Sequence, residues 1–184
     1  YPGFYLTSPP GEASAFGVFW PTLVPADVVE QVVVLPDGRR VAVPASPPVT
    51  EPLAEPAPVA GAAGGAPEGP TRRVPLGTFV GARSGDKGGN ANVGMWTDDD
   101  ERYRWLAATL SEAKLRELLP EAAGLRIDRY ELPNLRALNF VVHGLLGEGV
   151  ASSTRPDAQA KSLGEFLRAR YVDVPVHLVP DRGV

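Results

Sequence analysis

The sequence contains no cysteine. Disulfides, thiol nucleophiles and cysteine–zinc sites are therefore excluded. No stretch approaches the roughly 18 consecutive apolar residues of a membrane-spanning helix, so no membrane partner is expected. The first residues, "YPGFYLTSPPGEASAFG", show neither an initiating methionine nor a signal-peptide pattern. They read as a piece cut from a longer polypeptide, cytoplasmic by default. Lysine is scarce, three against fifteen arginines, while alanine, glycine and proline abound. That bias suggests a GC-rich bacterial genome and says nothing about mechanism. A formal net charge of −4 gives no reason to expect nucleic acid as a partner.

Charge and composition change along the chain. Residues 1–70 carry two arginines against seven acidic residues, whereas residues 71–184 carry sixteen basic and fifteen acidic ones. Such a concentration of charge suits the surface of a compact domain. Between the two parts, residues 44–70 contain eight prolines and four glycines and no aromatic residue. A stretch of that kind buries too little apolar surface to offset the entropy of ordering it. Residues 44–71 are therefore expected to form a disordered linker. Before it, residues 1–43 hold one hairpin signal, Val32–Leu35 and Arg40–Val43 around "PDG". One hairpin is too little for a core. Residues 1–43 thus read as the end of an upstream domain, and Phe16, Phe19 and Trp20 are expected to pack on a neighbouring domain.

Residues 72–180 have the pattern of a domain. "VPLGTFVGAR" (74–83) and "NVGMWT" (92–97) alternate like paired strands. In the following segment Tyr103, Leu106, Ala107 and Leu110 share a helical face, and Ser111 can cap a second helical stretch carrying Leu115, Leu118 and Leu119. The acidic run 98–101 suits a helix N-terminus. Two more strands are expected at 125–132 and 136–142. A last helix, capped by Thr154 with Asp157 three positions on, carries Ala160, Leu163 and Leu167; a final strand at 174–179 can follow. The fold class is therefore α+β: a ferredoxin-like two-layer sandwich, ββαββα, with a four-stranded antiparallel sheet and two helices on one face. Leu138, Phe140 and Val142 should meet the helices. Ala137, Asn139 and Val141 should line an uncovered face, with His143 just past the strand end.

The stretch "GARSGDKGGNANVGM" (81–95) is unusually polar and long for a hairpin connection. Gly85, Gly88 and Gly89 permit positive φ, and consecutive backbone N–H groups there can form an anion nest. Arg83 and Lys87 add positive charge. On this reading Arg83, Ser84, Gly85, Asp86, Lys87, Gly88, Asn90, Asn92 and Asn139 form a ligand-binding set for a phosphate or carboxylate, such as that of a coenzyme A thioester. The competing reading is turn chemistry, with Asp86, Asn90 and Asn92 bonding their own backbone. A metal site is not expected, because one carboxylate is thin for calcium or magnesium. His143 is the catalytic candidate, a general base on the same side as Asn139; the competing reading is a strand-end histidine bonded to a backbone carbonyl. His177 reads as a strand residue. "GLLGEGV" (144–150) is a second flexible wall near the loop or a plain connector.

"RSGDKGGNANVG" and "RYELPNLRALNFVVHGLLGEGV" together resemble the C-terminal domain of the acyclic terpene utilisation family, the AtuA-like proteins. "YPGFYLTSPPGEASAFGVFWPTLVP" resembles the segment that leads into that domain. The resemblance covers residues 1–43 and 74–180. It implies a ferredoxin-like fold, a larger upstream α/β domain, and a link to bacterial catabolism of citronellol- and geraniol-type terpenoids through acyl-CoA intermediates; it names no reaction. The expected role is to complete or regulate a site shared with that upstream domain, the chain alone being catalytically silent. One alternative is a non-catalytic assembly module, a homo-oligomer formed through the open sheet face. Another is a self-contained acyl-CoA thioester enzyme, against which stands the lack of a placeable nucleophile–base pair.

Overall fold

The computed structural model describes residues 11–13, 15–18, 20–44, 54–55, 57 and 65–180. Most of the proline-rich stretch 44–71, and Phe19, lie outside these. The chain divides into a small unit within residues 20–59 and a larger unit holding the rest. The small unit is built on the expected hairpin. Strand β1 (Gln31–Val34) pairs antiparallel with β2 (Arg40–Val43), one residue earlier at the first strand than the sequence suggested. Asp37 holds the turn by accepting from the backbone N–H of Arg39 at 3.0 Å and from its Nε at 2.7 Å. Trp20 is 87% exposed.

The larger unit opens with β3 (Thr71–Pro75), which pairs antiparallel with β8 (Tyr171–Pro175) as a separate two-stranded ribbon. The main sheet contains β4 (Gly81–Lys87), β5 (Asn90–Trp96), β6 (Ile127–Leu132) and β7 (Ala137–Val142) in the antiparallel order β4-β5-β7-β6. Helices α1 (Asp100–Thr109) and α2 (Glu112–Leu118) lie between the two hairpins in sequence, and α3 (Leu163–Arg168) follows them. This is the expected α+β sandwich. The helix-side face of the sheet carries Ala91, Val93, Met95, Leu138, Phe140 and Val142, all essentially inaccessible. In the two central strands, β5 and β7, alternation selects the core: one row of each is apolar throughout and faces the helices. Leu106, Leu115 and Leu167 fill it from the helices, and Leu119 from just past the end of α2. Each such side chain contributes about 1.5–3 kcal/mol on burial.

The helix starts follow side-chain chemistry. Asp99 caps α1 by accepting from Arg102 N at 2.8 Å, and Ser111 caps α2 by accepting from Lys114 N at 3.1 Å. Arg129 reaches across from β6 to the other end of α1. Its guanidinium donates to the carbonyls of Ala107 (2.6 Å) and Leu110 (3.0 Å), where a cation complements the helix dipole.

Three expectations need correction. The stretch 74–83 is two elements: Pro75 has no N–H to continue a ladder, and a 3-10 turn at Leu76–Thr78 separates β3 from β4. The last strand is Tyr171–Pro175 and joins β3, while His177 sits in a 3-10 turn at Val176–Leu178. The last helix does not start after Thr154. Ala160 takes φ +51, which interrupts any helix there, and Asp157 instead accepts from the backbone N–H groups of Lys161 (2.8 Å) and Ser162 (3.0 Å), so α3 begins at Leu163.

Candidate anion site on the open sheet face

The long polar stretch is mostly strand. Ladder pairing runs from Gly81 opposite Trp96 to Lys87 opposite Asn90, leaving Gly88 and Gly89 as a two-residue turn. Gly88 takes φ +62 and Gly89 does not take a positive φ, the pattern of a II′ hairpin. Gly85 lies inside the ladder, so no nest of consecutive amides forms there; this corrects the expected open loop. The turn docks on the segment after β7. Leu146 N donates to Gly89 O at 2.9 Å, and Asn90 Oδ1 accepts from Gly144 N at 2.9 Å. "GLLGEGV" therefore packs on the hairpin tip, with Leu145 and Leu146 buried. Gly89 and Asn90 serve that junction, and Gly88 supplies the turn.

Of the remaining polar residues, Arg83, Lys87, Asn92 and Asn139 stand on the uncovered face, while Ser84 and Asp86 alternate to the helix side of the edge strand β4. Register aligns Arg83, Gly94, Asn139 and Tyr130 in one row across the four strands, and Gly85, Asn92, Val141 and Asp128 in the next. Two glycines in adjacent rows leave a hollow. It measures about 350 Å³ and is lined by Arg83, Ser84, Gly85, Asp86, Lys87, Asn92, Gly94, Asn139 and Lys161. Seven of the nine expected ligand-binding residues thus border one depression. Its polar centre is an amide pair, with Asn92 Nδ2 donating to Asn139 Oδ1. Whichever way the two amides are turned, one NH2 group of the pair stays available to a ligand.

Lys161 was not foreseen. It arrives from the turn before α3, and its Nζ lies 3.2 Å from where a Cβ on Gly85 would stand. An ammonium group therefore hangs over the glycine floor. No sequence-local signal links position 161 to position 85; only the docking of α3 along β4 does. That docking rests on Ser84. Its buried hydroxyl donates to Ala160 O at 2.6 Å and accepts from Gly164 N at 2.8 Å. Ser84 is thus committed to holding the wall rather than to a ligand. Among the described residues Arg83, Lys87 and Lys161 take part in no ion pair, although Asp86 borders the same hollow. A larger concavity, about 460 Å³ beside Gly77 and Ala169, offers one cation, Arg168, already held by Glu165 at 2.8 Å and by Val80 O at 2.9 Å. The hollow at Gly85, by contrast, is lined by three cations that take part in no ion pair among the described residues.

His143 is elsewhere on the face. Its Nε2 is 2.8 Å from Asp128 Oδ2, and Arg126 donates to both oxygens of Asp128, at 2.9 and 3.0 Å. The histidine's partner is therefore a carboxylate rather than the backbone carbonyl weighed from sequence. The guanidinium of Arg126, and then the histidine, hold the Asp128 carboxyl below its ordinary value. Asp128 lies two strands from Asn92 in the same row, about 10 Å away at normal strand spacing. Asn139 and His143 do not converge on one reacting atom. Asp128 was legible in principle, since alternation along 125–132 puts it on the open face.

Among the described residues no group of three or more metal-ligating side chains occurs, and no helix is long and apolar enough to cross a membrane. No curated protein and no solved structure matches the chain. Residues 74–173 match the family model of the AtuA ferredoxin-like domain, spanning β4 to α3 and the strands that flank them. With more than half its length matched, and with the sheet and helices that the match requires in place, the chain belongs to the AtuA-like family through its ferredoxin-like domain.

Proposed function

We propose that this domain supplies an anion-binding wall to a site completed by an upstream domain of the same polypeptide, and that the site takes a phosphate- or carboxylate-bearing ligand of the coenzyme A thioester class used in bacterial acyclic terpenoid catabolism. The observation that carries this reading is the hollow at Gly85 and Gly94. Arg83, Lys87 and Lys161 border it with no acidic partner in ion-pair range among the described residues, and an amide NH2 remains available at its centre. Anions bind where cations and donors are already placed and unspent. The chain alone is catalytically silent on this view, because the Asp128–His143 pair lies across the sheet from the hollow. The test is calorimetric titration of a terpenoid acyl-CoA thioester into the protein. Lys87→Ala and Lys161→Ala should each weaken binding several-fold without lowering the melting temperature. Equal affinity in the parent and both variants overturns the reading.

A second reading has its own observation. Trp96, Tyr130, Leu132 and Leu135 are 43%, 50%, 41% and 68% exposed, and the first three stand on the open face. Such a cluster suits an assembly surface. A Tyr130→Glu, Leu132→Glu double variant that converts an oligomer to a monomer supports assembly; a parent that is monomeric at every concentration removes it.

A further inference from the structure

The anion hollow continues into an aromatic shelf. Trp96 faces Gly81 across the β4–β5 ladder. A Cβ built on Gly81 would lie 2.4 Å from Cε2 of the indole and 2.7 Å from both Nε1 and Cζ2. The ring-fusion carbon is nearest and its two neighbours are equally farther off. A point above the ring plane gives that order, whereas an approach in the plane would bring the two neighbours nearer than the fusion carbon. The indole therefore lies face-down on the glycine backbone. Its opposite face points away from the sheet, and the residue is 43% exposed.

The same edge strand then presents Arg83, Gly85 under the Lys161 ammonium, and Lys87, all on the open face. At normal strand rise these positions stand about 7, 14 and 20 Å along β4 from Gly81. A flat π surface is thus followed by three cations in a line, and Gly94 leaves the strip between Trp96 and Asn92 clear of side chains.

We propose that Trp96 is the stacking residue for a planar base, and that the ligand of this face carries a nucleotidyl group: base on the indole, phosphates on Arg83 and Lys161. The inference rests on the anion-site reading above and adds the ligand's ring to it. A free π face gives sequence-tolerant stacking to any base, and the cations account for the phosphates. Trp96 sets specificity by distinguishing a nucleotide from a bare phosphate.

The experiment titrates ADP and inorganic pyrophosphate into the 184-residue chain. ADP should bind about tenfold or more tighter than pyrophosphate, the size of one base–aromatic stack. Trp96→Leu should remove that advantage and leave pyrophosphate affinity unchanged. Trp96→Phe should keep part of it. Gly81→Ala, which lifts the ring from its seat, should lower ADP binding selectively. ADP should also quench tryptophan fluorescence in the parent but not in Trp96→Leu, with circular dichroism confirming that the variants fold. Equal affinity for ADP and pyrophosphate overturns the stacking role while leaving the anion site standing. Absence of binding by either overturns both.

Discussion

A Cβ on Gly89 would stand 2.0 Å from the carbonyl oxygen of Gly147. The hairpin tip and the segment after β7 thus meet backbone to backbone, closed by Leu146 N donating to Gly89 O and by Gly144 N donating to Asn90 Oδ1. Neither carbonyl nor amide can move aside as a side-chain end can. Gly89→Ala should therefore cost about 1–3 kcal/mol, the range for forcing atoms into a packed site, and lower the melting temperature by several degrees. Gly85→Ala, where the new methyl meets only the end of Lys161, should cost much less. Thermal unfolding of the two variants side by side checks this, and equal losses would contradict it.

Ser84 illustrates a polar residue whose position suggested a ligand and whose partners are structural. Its hydroxyl is the buried link between β4 and the start of α3, bonded to Ala160 O and Gly164 N. Ser84→Ala leaves a buried carbonyl and amide without that partner, a loss of about 1–3 kcal/mol. Denaturant unfolding should show the lower midpoint. Anion affinity should fall as well, because Lys161 sits on the segment that Ser84 anchors.

The contrast between Ser84 and Lys161 shows which features were readable from sequence. Alternation in 136–142 identified Leu138, Phe140 and Val142 as core and Asn139 as open-face, because a strand's period is local. The caps at Asp99 and Ser111 were readable for the same reason. The hairpin around Gly88 was misread as an open loop, since glycine, asparagine and aspartate mark turns on average but also suit an edge strand whose outer row needs no apolar side chains. Pro75 and Ala160 broke a strand and a helix where periodicity alone ran on. Lys161 joined the hollow only through the long-range docking of α3 along β4, which no local pattern encodes, whereas alternation alone already puts Asp128 on the open face.

Tyr103 is 4% exposed and its hydroxyl has no hydrogen-bond partner among the described residues. Burial, and next the Glu131 carboxylate, push the phenol up from its ordinary value. The folded state thus holds this proton more tightly than the unfolded chain. The resulting stability is fully present below pH 10, the ordinary phenol value, and is lost as pH rises through the higher folded value. Tyr103→Phe should abolish this alkaline loss and should be neutral or stabilising at pH 7, since the buried hydroxyl is unpaired. Alkaline unfolding curves of parent and variant that superimpose would sink the account.

Asp128 works in the opposite direction. Its depressed carboxyl means that the folded state releases this proton more readily than the unfolded chain. The stability it contributes is present above 3.8, the ordinary carboxyl value, and is lost as pH falls through the lower folded value. Asp128→Asn should be less stable than the parent at neutral pH, and the gap should close below that value. Urea midpoints across the acid range measure it; a gap that stays constant down to pH 2 would mean that Arg126 and His143 do not act through the charge.

Lys161 owes its place to Asp157. Both oxygens of that carboxylate hold the turn before α3, accepting from the backbone of Lys161 and Ser162. Two effects oppose each other in Asp157→Ala. Removing a negative charge near an anion site should strengthen anion binding, but in solvent such a gain is screened at physiological salt. Releasing the turn frees the ammonium from its position over Gly85, and a cation that must be ordered on binding loses side-chain entropy it had already surrendered. Position should win. Asp157→Ala is expected to weaken pyrophosphate binding despite its more positive charge, and Lys161→Ala to weaken it by at least as much. The double variant should add little to Lys161→Ala, since both changes remove one cation from one place. Additive losses in the double variant, or tighter binding in Asp157→Ala, would show that net charge and not placement governs the hollow.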